Sequence, residues 1–181
     1  THGGTSVVHV NFGPQSESKL LRRAADGSGS VTQLDVSQRF PIPISWSEPS
    51  QTLAYYEYSN QADIWTLPPD GDPVPFIVTG ADERSPVFSP DGKWIAFVTD
   101  ESGRDEIQIR DHPGGEDRIL VSQGGGTEPC WAPDGLSLTY RKGARMMSVG
   151  FDPESTERVG EPRTLFEDPV SNTQLTLPTN S

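Results

Sequence analysis

The residues that could do chemistry are few in this chain, and their spacing decides what each could do. Three histidines, His2, His9 and His112, are scattered along 181 residues; two fall near the start and the third precedes Pro113. A nucleophilic triad needs serine, histidine and acid together, commonly with a Gly-x-Ser-x-Gly elbow, and no such elbow occurs. Zinc wants clustered cysteine and histidine at ligand spacing, which one cysteine and three dispersed histidines do not spell out. Asp100-Glu101-Ser102-Gly103-Arg104-Asp105-Glu106 concentrates the oxygen ligands that calcium prefers, yet without EF-hand spacing. It reads as a solvated hairpin loop ordered by Asp100 and Arg104.

Three further groups invite a chemical reading and receive a plainer one. Gly124-Gly125-Gly126 would cradle phosphate if it led into a helix, but it runs into a strand-like segment at Cys130 and reads as a flexible loop. Tyr55, Tyr56, Tyr58 and Trp65 could stack a ligand; alternate residues of such strands more often pack a core, and that is the role expected here. Cys130, flanked by Pro129 and Trp131, is expected to be a buried packing thiol. No catalytic residue, metal ligand or cofactor is assigned, and the chain is read as a non-enzyme.

Composition narrows the partners. The formal net charge is −12, so phosphate backbones are repelled and nucleic acid is not expected as a partner. No run reaches transmembrane length and no basic-then-apolar signal segment opens the chain. A chain that starts at Thr1 is expected to be a processed, excised or incomplete product. The hydrophobic fraction is 32%, with 18 Gly and 17 Pro. Because those turn residues recur at fixed places between apolar runs, an ordered all-β structure is expected and disorder is not.

The elements that must position these residues follow from a repeat. Segments centred on Trp46, Phe88 and Trp131 recur at 42 and 43 residues, a period that marks four-stranded propeller blades. Residues 40–80, 82–123 and 126–168 are read as full blades and 1–36 as a partial blade. A closing strand is placed in 171–181, at Gln174-Leu175-Thr176-Leu177. Each blade opens with a strand ending in the anchor aromatic. The turn Ser89-Pro90-Asp91-Gly92 follows in the clearest copy, with Pro presetting φ and Gly taking the conformation other residues resist. Alternating runs such as Trp94 to Thr99 and Glu106 to Arg110 supply the next strands. The copy at Trp46 carries Ser47-Glu48-Pro49-Ser50 instead, so its turn is expected to be looser. Two closures stay open: the last strand completes the first blade of a four-bladed ring, or these are consecutive blades of a larger ring, finished by missing sequence or by a second copy pairing at open edges. The Trp-free terminal strand favours the larger ring.

In a propeller the connections from fourth to first strand and from second to third share one face, and loops on a rigid scaffold carry function. Arg39, Asp82, Glu83, Arg84, Asp100, Arg104, Thr127 and Glu128 lie there and are the candidate binding residues.

Phe88-Ser89-Pro90-Asp91-Gly92-Lys93-Trp94-Ile95-Ala96-Phe97, with Glu106-Ile107-Gln108-Ile109, resembles the repeat of TolB-like propellers, also called PD40 or WD40-like repeats. The resemblance covers nearly the whole chain and is strongest from about Ile42 to Phe166. From Asn60 to Pro169 it is most similar to propellers appended to bacterial receptor-like kinases, although no kinase motif is present. It implies a periplasmic or other extracytoplasmic address and a scaffold or sensor module that binds protein or peptide. Two alternatives stand beside this: the gating propeller of a prolyl-oligopeptidase-type serine peptidase whose catalytic domain is absent, and a calcium- or small-ligand-binding propeller.

Overall fold

The computed structural model describes residues 6–12, 18–34, 40–58, 60–69 and 71–168, and these form an all-β fold. Among the described residues, fifteen strands make four antiparallel sheets, each a simple meander. The first sheet holds β1 (Ser6–Phe12), β2 (Ser18–Ala24) and β3 (Thr32–Leu34). The second holds β4 (Phe40–Ser47), β5 (Thr52–Tyr58), β6 (Ala62–Leu67) and β7 (Val74–Ile77). The third holds β8 (Glu83–Phe88), β9 (Trp94–Thr99), β10 (Glu106–Asp111) and β11 (Arg118–Leu120). The fourth holds β12 (Thr127–Trp131), β13 (Ser137–Lys142), β14 (Arg145–Gly150) and β15 (Arg163–Glu167). The closing segment Gln174–Leu177 and residue Arg39 lie outside the described residues.

Successive side chains of a strand point to opposite faces, and the central strands use both. Every residue of β9 is buried. Ile95 packs towards the second sheet with Ala54 and Phe88, while Trp94, Ala96 and Val98 meet Leu138, Tyr140 and Val149 of the fourth. Leu53, Tyr55 and Leu67 pack with Leu20 of the first sheet. The tyrosine cluster divides as alternation demands: Tyr55 is fully buried, Trp65 and Tyr56 lean on the adjoining clusters, and Tyr58 at the strand end is 48% exposed.

Cys130 is exposed, not buried as the sequence suggested. It pairs with Thr139, whereas the neighbouring Leu138 and Tyr140 form the face packed on the third sheet. The thiol therefore sits on the opposite face, and the buried residue of this segment is Pro129.

The first strands β4, β8 and β12 are neighbours across the sheets. They are stitched by bonds that use no sheet ladder: Phe88 N donates to Ser45 Oγ at 3.0 Å, and Trp131 Nε1 donates to Val87 O at 3.1 Å. Each strand also slips register, between Pro43 and Ser45, Arg84 and Val87, and Thr127 and Cys130. Ser85 and Glu128 take the left-handed conformation at these slips, with φ of 55° and 54°.

The turn after β8 shows why its residues are spaced as they are. Asp91 Oδ1 accepts from Ser89 Oγ at 2.6 Å and from Lys93 N at 3.1 Å, while Ser89 Oγ accepts from Trp94 N at 3.0 Å. Gly92 takes φ +72°. The Trp46 copy lacks both Asp and Gly, and its left-handed residue is Gln51, at φ 50°. It is held instead by Gln51 Nε2 donating to Glu48 O at 2.8 Å and Thr52 Oγ1 donating to Ser50 O at 3.0 Å.

Gly92 also lies where two sheets touch: a Cβ there would sit 2.4 Å from the Oγ of buried Ser47. Gly92→Ala is expected to lose about 2–4 kcal/mol, combining left-handed strain with overpacking. Gly103, at φ +84° with nothing within 4 Å, isolates the strain alone, so Gly103→Ala is expected to lose only about 1 kcal/mol. Urea denaturation of the two variants checks the difference.

Candidate functional site: a charged loop face over a buried carboxyl

The loops at one end of the sheets gather five of the candidate residues. Asp82 Oδ1 accepts from Ala62 N at 2.7 Å, and Asp82 N donates to Asp100 Oδ1 at 2.8 Å. Both acids thus tie the 78–82 and 100–105 loops to the second and third sheets. Arg84 Nη2 pairs with Asp105 Oδ2 at 2.5 Å, and Gly126 N donates to Asp105 O at 2.8 Å, which carries the connection on to the fourth sheet. Arg104 projects outward, 65% exposed, with its Nε 3.7 Å from Glu106 Oε1. Thr127 and Glu128 stand apart on β12, where Glu128 Oε2 receives Arg141 Nε at 3.1 Å.

Two neighbouring sheets solve one problem differently on this face. In the third, the Glu106 carboxylate is buried and fully served: Ser122 Oγ donates to Oε2 at 2.6 Å, and Gly124 N and Gly125 N donate to Oε1 at 2.8 and 3.0 Å. The glycine loop that resembled a phosphate cradle thus wraps an anion of its own chain. Gly126 has no room for a side chain, since a Cβ would lie 2.5 Å from Ser122 Oγ.

In the second sheet the repeat places Asp63 where Glu106 stands, Thr79 where Ser122 stands and Glu83 where Gly126 stands. The longer acid now comes from the first strand of the next sheet. Glu83 is 2% exposed, and its Oε1 accepts from Thr79 Oγ1 at 2.5 Å. Its Oε2 is buried and meets no donor among the described residues. Burial pushes its pKa up to about 7, against the Thr79 bond, and the negative charges of Asp63 and Glu101 push the same way as burial.

The sequence places Glu83 on the loop face and Glu106 in the acidic run without revealing that either is buried, and it does not single out Asp63 or the hairpin Arg141-Lys142-Gly143-Ala144-Arg145. The signal was present in the repeat: the hairpin occupies the place where the third sheet carries the acidic 100–105 loop. The face is therefore acidic over the third sheet and mixed over the fourth, where Arg141 pairs with Glu128 and lies 3.9 Å from Asp168. Beside it opens a depression of about 390 Å³ lined by Glu101, Arg104, Gln108, Arg118 and Leu120. Among the described residues no group of three or more His, Cys, Asp or Glu is arranged to hold a metal ion.

A carboxyl whose folded pKa is raised favours the protonated form of the folded protein. Its contribution is fully present below the unfolded value of about 4.5 and is lost as pH rises through about 7. The loss is about 3 kcal/mol as an upper bound. Glu83→Gln, which keeps an acceptor for Thr79, is expected to be more stable than the parent at pH 8 and close to it at pH 4.5. Chemical denaturation across that range checks it; a parent-like pH slope in the variant would assign the dependence elsewhere.

No protein-family model matches this chain. A curated relative, the uncharacterized peptidase YuxL of Bacillus subtilis, is 36% identical over 85 residues, which cover 44% of this chain and 13% of the relative. Among solved structures, one given as TolB from Agrobacterium tumefaciens matches with a TM-score of 0.72 at 17% identity, covering 91% of this chain and 62% of that one. A puromycin-hydrolyzing peptidase of Mycobacterium tuberculosis matches with a TM-score of 0.67 at 18% identity, covering 91% of this chain and 30% of that one. The chain thus spans less than two thirds of each of these three proteins. Likeness at these identities speaks for architecture, and the architecture is that of a TolB-like β-propeller.

Proposed function

We propose that this propeller unit is a non-catalytic scaffold or sensor module that binds a protein or peptide across its loop face. The observation that carries the reading is a charged face whose loops are tied down. Asp82, Asp100, Arg84 and Asp105 are engaged in holding one another and the backbone, so the loops present a fixed surface. Arg104, Glu101 and Arg118 stand outward from it, the last two forming an exposed ion pair. A rigid platform with outward charges loses little conformational entropy when a partner settles on it. Opposite charges on one face also fix the partner's orientation more than its affinity.

A second reading, a propeller that gates a serine peptidase, draws on the YuxL segment and the Mycobacterium tuberculosis peptidase. In that arrangement the chemistry belongs to another domain and this chain restricts access.

Selection of a random peptide library on the immobilised chain separates the readings. The expected outcome is an enriched set whose affinity falls as salt rises and drops at least tenfold in the double variant Glu101→Lys, Arg104→Glu. Binders indifferent to both changes would remove the loop face as the site, and a library yielding no binders would favour the gate.

A further inference from the structure

The seam between the second and third sheets has an apolar middle, where Ala54 meets Phe88 and Ile95, and Ile64 and Ile77 meet Phe97. Each end of this seam holds an ionisable side chain drawn out of water. Glu83 stands at the loop end, on the first residue of β8, and is 2% exposed. His112 stands at the turn end, just past β10 and half-buried. Its ring meets Phe88 of the third sheet edge-on at 5.0 Å and Phe76 of the second at 5.8 Å.

The next seam fills the same two places with residues that cannot ionise. Gly126 stands where Glu83 does. His112 N donates to Lys93 O at 2.7 Å as Phe151 N donates to Leu136 O at 2.9 Å, so Phe151 stands where His112 does. Phe151 is packed edge-on against Trp131 and Trp94, with ring centroids 5.1 and 5.3 Å apart. Protons can therefore act on both ends of one seam and on neither of these places in its neighbour.

The two groups respond in opposite senses. Burial favours the neutral form of each, and a carboxyl is neutral with its proton while an imidazole is neutral without its second one. Facing Glu83 from other elements are Asp63 on β6 and Glu101 in the 100–105 loop, which oppose its ionisation, and Arg110 on β10, which attracts it. Its support of the closed seam is present below about 4.5 and is lost as pH rises through about 7. Beside His112 lie Asp111 on its own strand and Asp91 and Lys93 of the β8–β9 turn; the second sheet lines that cleft with uncharged residues such as Thr52, Thr66 and Phe76. His112 Nδ1 lies 3.3 Å from the Gly92 carbonyl oxygen, which only accepts, so Nδ1 carries the proton and a second would go to Nε2. Burial lowers the ring's pKa against the pull of Gly92 and Asp111. Its support of the closed seam is present above the ordinary value of 6.5 and is lost as pH falls below it.

One hydrogen bond crosses the seam near each of these groups. At the loop end Ala62 N donates to Asp82 Oδ1 at 2.7 Å, and at the turn end Phe88 N donates to Ser45 Oγ at 3.0 Å. We infer that this seam is a two-ended, proton-driven hinge: rising pH loosens its loop end through Glu83, falling pH loosens its turn end through His112, and the apolar middle keeps the ends independent. The hinge sets how firmly the loop face is held, whatever that face binds.

The test is amide hydrogen exchange of the whole chain by NMR, with each rate corrected for the intrinsic effect of pH. From pH 5 to pH 8 the protection of Ala62 N is expected to fall at least about tenfold, while that of Phe88 N rises severalfold. Gly126 N, bonded to Asp105 O, and Trp131 Nε1, bonded to Val87 O, report on the next seam and are expected to hold level. Glu83→Gln is expected to flatten the trend at Ala62 alone, and His112→Phe the trend at Phe88 alone. Should either variant fail to fold, the parent still decides. There the Ala62 trend is expected to level off where the Glu83 carboxyl carbon titrates, and the Phe88 trend where the His112 ring does. Trends that run parallel at the two ends, that appear equally in the next seam, or that level off elsewhere would overturn the hinge. So would trends that persist in the folded variants.

Discussion

The structure depends on one constraint: none of these sheets has an interior of its own, so each must bury a face against a neighbour, and the two middle sheets bury both. A sheet of four short strands exposes two apolar surfaces, and β9 shows the consequence with six consecutive buried residues assigned alternately to two seams. Fully burying a Leu, Ile or Phe side chain is worth about 1.5–3 kcal/mol, and that gain exists only once the next sheet is in place. Stability in such an array is a property of seams more than of sheets. The tight turns, the stitching of β4, β8 and β12, and the bulges that bend those strands all serve to bring successive faces to packing distance.

Because every seam must be filled by the same repeat, small differences between copies have large local effects. Exchanging Glu106 and Gly126 for Asp63 and Glu83 shortens the acid on one strand and adds a second on the next without changing the backbone plan. The first arrangement supplies hydroxyl and amide donors to both carboxylate oxygens. The second supplies one hydroxyl to one oxygen and leaves the other buried, and this burial raises the carboxyl's pKa. At the other end, Thr52 stands where Trp94 stands one repeat later, and the ring of Phe76 meets His112 at 5.8 Å. Specialisation is written here in departures from the repeat, and the repeat is what makes the departures readable.

The same distinction explains what was legible in the sequence. Strand positions around Trp46, Phe88 and Trp131 could be read because alternation and the Pro-Asp-Gly turn are local signals. Asp82, Asp100 and Arg84 could be placed on one face because strand order alone fixes which connections share an end. The burial of Glu83 could not be read locally, since an acid at a loop–strand boundary ordinarily faces water; only the crowding at Gly126 in the next copy reveals that its place lies inside. Cys130 misled for a related reason. Its apolar neighbours suggested a core position, but facing is set by register, and a slip between Thr127 and Cys130 displaces the simple alternation.

The two ends of the sheets are consequently built for different work. At the loop end, connections vary in length and charge from copy to copy, and ion pairs such as Arg84–Asp105 fasten them without fixing their sequence to the core. At the turn end, the connections between first and second strands are short, while those between third and fourth run from six residues to the twelve of 151–162. A partner recognised at the loop end would meet charge set on a firm base. Both ends follow from the opening constraint: side chains that fill a seam are held by their neighbours, and what lies outside the seams is free to vary.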